Sequence, residues 1–439
     1  MNLTRRHLLI GTTLAGGAVL TGCASSASNG TATSSSALPT APSPSSTEHV
    51  ANAEQAGGLV YYLAMKAAQA GSYGIAGAII ENATGRVVHA IENTVLKRLN
   101  SGELFTYDPT AHGERQLAYW YFANKEAMHL PEPRDLTVVT SLDPCAMCAG
   151  TLLTAGFNVG VVAMDTFSGI DYTENHTFAD LPPNIADIAR ATFGYYGVDG
   201  GRAYEGGVGT VFNNSNLTSA TYNGCEAVYQ DSATNVRNTR SGEDTPVADL
   251  KDPRTVPEIV NAYKAVWPGA FNFAVEDFRH PTAEVKRLLI EVMQQSPGAK
   301  NAVAFIDPFG NVVLAAADSF NISPVQTAFM NVSQAYATTR FNLMNSEATT
   351  QLAKGSLVSP KYGTFVWLYA LDPFATTTIE DLGAYGSTVE SKIPQPTPSN
   401  FQYFEPPCTG TEAELKAVAG NLPPLYSQLI AINPMRCVV

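Results

Sequence analysis

The chain reads as an α/β protein with a mixed sheet and helices on its faces, built twice. Two observations predict this. Short apolar runs of strand length alternate with longer segments of helical period. The order of elements in residues 52–165 then recurs in residues 281–382. With 439 residues and 45% hydrophobic content, the chain is long enough for two ordinary globular domains.

Residues 55–69 have helical spacing, with Leu59, Leu63 and Ala67 on one stripe. "GIAGAII" (74–80), "NATG" (82–85) and "RVVHAI" (86–91) read as strand, turn, strand. "HGERQLAYWYFANKEAM" (112–128) is a helix, "LTVVTS" (136–141) a strand, "PCAMCAGTLLTA" (144–155) a helix and "VGVVAM" (159–164) a strand. Residues 200–250, rich in Gly, Asn, Ser and Thr, read as irregular or extended additions ending in a linker near 240–255. The second half supplies a helix (281–295), a strand (301–307), a "PFG" turn, a strand (311–317), a helix (323–341), a strand (364–370) and a helix start (371–382). Matching the turns places Gly85 on Gly310, and the strand–helix junctions match Asp143-Pro144 with Asp372-Pro373. A single separation of roughly 225 residues indicates duplication rather than a solenoid, which repeats every few tens of residues. The expected domains are 51–240 and 256–400, with a C-terminal tail at 401–439.

Residues 1–23 stand apart. Arg5 and Arg6, a short apolar stretch and Leu20-Thr21-Gly22-Cys23 resemble a bacterial twin-arginine export signal ending in a lipoprotein cleavage box. That resemblance implies lipidation of Cys23 and a protein tethered on the outer side of the cell membrane. Residues 24–50, mostly Ser, Thr, Ala, Pro, Gly and Asn, bury too little apolar surface to order and read as the tether. Net charge is −13, and losing residues 1–22 removes two arginines and no acid, leaving −15. No Lys/Arg cluster offers a polyanion a basic face. A small uncharged substrate therefore fits better than tRNA or DNA, and no nucleic-acid partner is expected. Of six cysteines, Cys408 and Cys437 could bridge the tail outside the cytoplasm, leaving Cys225 free.

The chemistry centres on "TSLDPCAMCAG" (140–150). Asp143 reads as an N-cap and Pro144 as the first helical residue. Cys145 and Cys148 then share one helix face, where the helix N-terminus favours thiolate. Alone, a C-x-x-C leaves disulfide, redox pair and metal site all open. Upstream lies "DPTAHGE" (108–114). Together, His112-Gly113-Glu114 and Pro144-Cys145-Ala146-Met147-Cys148 fit the H-x-E … P-C-x-x-C signature of zinc deaminases, recognised here as a known pattern. The run resembles the guanine deaminase and tRNA adenosine deaminase branch of the cytidine deaminase-like superfamily, over roughly residues 52–165.

The resemblance implies a three-layer α/β/α fold, a Zn²⁺ held by His112, Cys145 and Cys148, and Glu114 as proton shuttle. The residue chemistry agrees. Three protein ligands leave one tetrahedral position open to a water whose pKa falls to about 7. Glu114 can then move protons between that water, a ring nitrogen and the departing amine. Asn93 falls where the family places an asparagine that hydrogen-bonds the base. Tyr119, Trp120, Tyr121 and Phe122 read as core packing, Phe167 as a weaker stacking candidate, and Glu174 and His176 as solvent-facing loop residues. In the repeat, His112 becomes Thr327, Glu114 becomes Phe329, Cys145 becomes Phe374, Cys148 becomes Thr377 and Asn93 becomes Asp318. Thr and Phe do not hold zinc, so the second half is expected to be a metal-free copy serving as an intrachain pseudo-dimer partner. The expected function is zinc-dependent hydrolytic deamination of a small nucleobase or nucleoside, with a guanine-like purine first. The alternative is a catalytically silent, zinc-containing nucleobase-binding lipoprotein, for which an intact Glu114 has no use.

Overall fold

The computed structural model describes residue 44 and residues 47–201, 209–240, 245–389 and 401–439. Arg5, Arg6, Cys23 and nearly all of the expected tether lie outside the described residues. No helix among the described residues is long and apolar enough to cross a membrane.

The first half opens with helix α1 (Ala53–Ala70), capped by the Asn52 side chain, which accepts from the Gln55 N–H. Strands β1 (Ala76–Glu81) and β2 (Val87–Glu92) form a hairpin. Helix α2 (Gly113–Met128), strand β3 (Leu136–Thr140), helix α3 (Ala146–Ala155) and strand β4 (Asn158–Val161) follow, then helix α4 (Pro183–Thr192) and strand β5 (Phe193–Tyr195). The sheet order is β2-β1-β3-β4-β5. β1 runs antiparallel to both neighbours, while β3, β4 and β5 are mutually parallel. All five residues of β3 are buried, as a strand covered on both faces requires. Alternation along the strands sorts the layers. Ile79 and Val138 point into the core with α2 and α3, whereas Ala78, Ile80 and Val139 point toward α1.

The second half repeats this plan. Between helix α5 (Ser219–Arg240) and the end of the chain come α6 (Ala283–Gln294), β6 (Ala302–Ile306), β7 (Val312–Ala317), α7 (Ala328–Met344), β8 (Thr364–Tyr369), α8 (Thr376–Val389), β9 (Phe401–Glu405) and β10 (Met435–Arg436). The order β7-β6-β8-β9-β10 matches the first sheet strand for strand, with the same directions. Each hairpin carries a register shift at the same place, Ile79/Ile80 and Phe305/Ile306. Each turn also closes on a glycine at positive φ, 74° at Gly85 and 83° at Gly310. A Cβ there would fall 2.1 Å from the Val50 carbonyl oxygen and 2.0 Å from that of Val275. Only glycine fits either turn. The fold is a duplicated α/β architecture.

The inner helices α2, α3, α7 and α8 share one continuous core. Reciprocal glycines let α3 and α8 touch backbone to backbone. A Cβ on Gly150 would lie 2.2 Å from the Glu380 nitrogen, and one on Gly383 would lie 2.0 Å from the Met147 nitrogen. Across this contact the Thr151 hydroxyl donates to Glu380 Oε1 at 3.0 Å, and the Thr154 hydroxyl donates to Thr376 Oγ1 at 2.8 Å. Beside Glu380, the buried Asp381 accepts from the Thr327 hydroxyl at 2.5 Å. Burial, with the nearby Asp318 charge adding, pushes the Asp381 carboxyl up to about 8. The unfolded chain releases that proton near pH 4. The group's stabilisation is therefore complete below about pH 4 and lost progressively as pH rises toward 8. Asp381→Asn cannot ionise, so its melting temperature should equal the parent's near pH 4 and exceed it increasingly up to pH 8. Parallel thermal melts across that range check this; a variant less stable at pH 8 contradicts it.

Three expectations are corrected. Residues 219–240 are helical, not irregular. The helix forms on α1: Gly224 lets Tyr61 approach, since a Cβ there would lie 2.7 Å from the phenol ring, and Leu217, Cys225 and Val228 join the α1 core. Residues 401–439 are not a tail, because they supply the last two strands of the second sheet. Cys408 and Cys437 are both free thiols, Cys408 exposed and Cys437 buried with its thiol donating to Gln402 Oε1 at 2.9 Å.

Candidate metal centre

His112, Cys145 and Cys148 converge. One nitrogen and two sulfurs lie within 4.8 Å of one another. His112 sits at the N-cap of α2 in extended conformation, so its side chain leaves the backbone before the helical turn begins. This resolves the geometry of residues two apart. In a helix interior His112 and Glu114 would diverge, but from the cap the ring turns toward α3 while Glu114 follows from the first turn. Gly113 between them packs the helix start onto the strands, where a Cβ would lie 3.2 Å from the Ala76 Cα and the Ile91 oxygen.

The start of α3 differs from expectation. Cys145, not Asp143, is the N-cap residue, and Pro144 precedes the helix. The Asp143 carboxylate is already engaged: Oδ2 accepts from the Asp171 N–H and Oδ1 from the Tyr195 hydroxyl, both at 2.9 Å. Asp143 thus fastens the loop after β4 to the mouth of α3. The Ile170 N–H adds a bond to the Pro144 carbonyl at 2.8 Å. His176 belongs to this loop rather than to solvent, with Nδ1 2.6 Å from Asp171 Oδ2 and its ring against Tyr195.

His112 Nδ1 lies 3.5 Å from Cys145 Sγ. Zn–N and Zn–S bonds of about 2.0 and 2.3 Å at a tetrahedral angle require a donor separation of about 3.5 Å. The donor set therefore fits zinc in type and in this spacing. Glu114, buried, is held on both oxygens: Thr140 Oγ1 lies 2.8 Å from Oε1, and the Cys148 thiol donates to Oε2 at 3.4 Å. Its carboxyl is pushed up, first by burial and then by the charge of Cys145. A hydrogen bond from Cys148, helped by the charge of His112, holds the Cys145 thiol well below its usual range despite burial. Burial works to lower the His112 pKa, but the charge of Cys145 reverses that, and the net shift is upward.

Asn93 lies beside this cluster, because the Thr94 N–H donates to the Ala111 carbonyl at 3.0 Å. It is buried, with Oδ1 accepting from the Ser72 hydroxyl at 2.7 Å and from the Val95 N–H at 3.0 Å. Its Nδ2 has no hydrogen-bond partner among the described residues. A buried, unpaired amide donor is unfavourable unless something arrives to accept from it. The amide is thus set up to donate only.

Two contributors carry no motif. Thr140 orients Glu114 from the end of β3. Tyr426, buried in the second half, comes from the far end of the chain. The Leu425 N–H donates to the Phe167 carbonyl at 2.9 Å, seating this segment on the loop beside Cys145. Burial and then the charge of Cys145 raise the Tyr426 hydroxyl. Phe167 itself is 45% exposed at the rim. Of the aromatic run on α2, Tyr121 is core, Trp120 stacks on His89 with centroids 4.1 Å apart, and Tyr119 is exposed.

At the corresponding place in the second half, Thr327 caps α7 and bonds Asp381. Asp318 is occupied by the Ala328, Lys300 and Asn301 N–H groups, and Phe329 stacks on Trp367. Hydroxyl, carboxylate and ring thus stand in the repeat where the first half has His112, Cys148 and Glu114.

No family model and no curated protein matches the chain. Among solved structures, a guanine deaminase from Nitrosomonas europaea is similar at 18% identity and a TM-score of 0.28, covering 43% of this chain and 90% of that one. NE0047 in complex with 2,6-diaminopurine is similar at 20% identity and a TM-score of 0.27, covering 44% and 86%. A tRNA:A34 deaminase of the wobble position is similar at 22% identity and a TM-score of 0.21, covering 26% and 78%. At these scores the site geometry, not the likeness, carries the functional reading.

Proposed function

We propose that the chain is a zinc-dependent hydrolytic deaminase of a small nucleobase or nucleoside, a guanine-like purine first, working from a lipid tether at Cys23 outside the cytoplasm. The observation that carries this reading is the convergence of His112, Cys145 and Cys148 beside a buried Glu114 within hydrogen-bond reach of Thr140. Zinc held there supplies a Lewis acid that makes water nucleophilic near neutral pH. His112, Cys145 and Cys148 would hold that ion, and Glu114 would take a proton from the attacking water as the water oxygen bonds to the amine-bearing ring carbon. The carboxyl then delivers this proton to the adjacent ring nitrogen. It next moves the second water proton to the amine, so that ammonia leaves and a carbonyl remains. A buried carboxyl beside the His112, Cys145 and Cys148 cluster suits a group that must both gain and lose a proton in one cycle.

Asn93 Nδ2 donates to an acceptor on the ring and orients it. Asn93→Ala should raise KM about tenfold with a smaller change in kcat, because it removes one neutral hydrogen bond; steady-state kinetics that show kcat alone falling would contradict that role. In this reading the second half stands in for the neighbouring subunit that such enzymes use, its inner helices covering α3 and its Tyr426 segment closing the loop beside Cys145. Ammonia release from purified mature protein across a panel of bases and nucleosides tests the proposal. Turnover of a purine is expected; a folded, zinc-loaded sample that releases none would leave a binding protein instead.

A further inference from the structure

An open groove of about 510 Å³ lies where the two halves meet, lined by none of the metal-centre residues. Tyr107 and Tyr119 form its wall on the first half, and Ser319, Gln326 and Gln334 are among the residues facing them from the second. Tyr119 stands seven positions after His112, and Gln334 seven after Thr327, so corresponding turns of α2 and α7 oppose each other. The volume falls within the range of small-molecule sites.

The lining holds no charged side chain, yet buried charges behind it fix its amides. Asp108, buried, accepts from Gln334 Nε2 at 2.7 Å, which presents Gln334 Oε1 as the acceptor of that amide. Arg115, buried, donates from Nη2 to Gln326 Oε1 at 3.4 Å, and its guanidinium lies 5.2 Å from the Tyr119 ring centroid. The Lys97 ammonium sits 3.3 Å from the Tyr107 ring centroid. The buried Arg115 thus backs the lining, and neither cation is among the lining residues. An anionic ligand would meet no cation in the wall, and an apolar one would bury Gln334 Oε1 without a partner from the ligand. Two tyrosine rings with a fixed amide acceptor and hydroxyls suit a neutral ring with polar edges.

We propose that this groove is a second, metal-independent binding site for an uncharged planar heterocycle with donor and acceptor edges, the nucleobase class. The site does not depend on zinc or on Glu114. Calorimetric titration of the full chain carrying Glu114→Gln with hypoxanthine should therefore give two bound bases per chain, one of them lost when Thr338→Trp fills the groove. Tyr119→Ala, at an exposed position, should weaken that one site about tenfold through lost stacking. Asn93→Ala should affect only the other. A single bound base sensitive to Tyr119→Ala but not to Asn93→Ala would keep this site while removing the support for the catalytic one. Stoichiometry unchanged by both groove variants, no binding at all, or a groove that takes glucose in preference to the base would overturn the proposal.

Discussion

Glu114→Gln is expected to lower kcat about a thousandfold while zinc content and melting temperature stay at the parent's values. The substitution is nearly isosteric and keeps an acceptor for the Thr140 hydroxyl, which lies 2.8 Å from Oε1. What disappears is the ability to hold and release a proton beside the sulfur of Cys148, 3.4 Å away. Burial already raises the Glu114 carboxyl, so the neutral amide imposes no new desolvation on the site. Ammonia release and metal content measured on the same preparation separate the outcomes. Full activity in the variant would remove Glu114 from the chemistry, and loss of zinc together with activity would recast it as structural.

Cys148→Ala should abolish turnover by a different route, weakening zinc binding more than about a hundredfold and lowering the melting temperature. Cys148 is fully buried on α3 and is one of three converging donors among the described residues; two donors do not hold zinc in a catalytic site. The same experiment on the second half should be silent. Thr327 and Asp381 stand at the corresponding place in the folded repeat, and replacing Phe374 or Thr377, the residues matched to the thiols by sequence alone, with Ala should leave metal content unchanged. Metal analysis of the three purified variants decides the matter: zinc lost on substitution at 374 or 377 would mean the second half is not metal-free.

Much of this was legible in the order of residues, for identifiable reasons. Strands such as Leu136–Thr140 and Ala302–Ile306 are β-branched or small apolar runs buried on both faces, and such runs announce themselves. The turns at Gly85 and Gly310 could be matched because backbone crowding admits no other residue. The convergence of His112, Cys145 and Cys148 was legible as a pattern because one junction presents both thiols and one cap presents the histidine. Elsewhere local composition misled. Helix Ser219–Arg240 is dense in Ser, Thr and Asn, poor helix formers that the α1 surface overrides. Asp143-Pro144 has the composition of a helix cap, but Tyr195 and Asp171 claim the carboxylate from outside the local segment. Tyr426 and Thr140 reach the site only through tertiary folding, and nothing in their own surroundings marks them. The donor-and-acceptor reading of Asn93 was too broad, since Ser72 and Val95 occupy its oxygen and leave it only to donate.

The reading as a whole depends on His112, Cys145 and Cys148 holding one zinc with room for solvent. Zinc-edge X-ray absorption on the purified full chain, combined with metal quantification, addresses that directly. One zinc per chain is expected, with two sulfur ligands, one histidine nitrogen and one light-atom ligand from solvent. A chain that binds no zinc and carries a Cys145–Cys148 disulfide would contradict the account, as would a four-sulfur or fully protein-ligated ion.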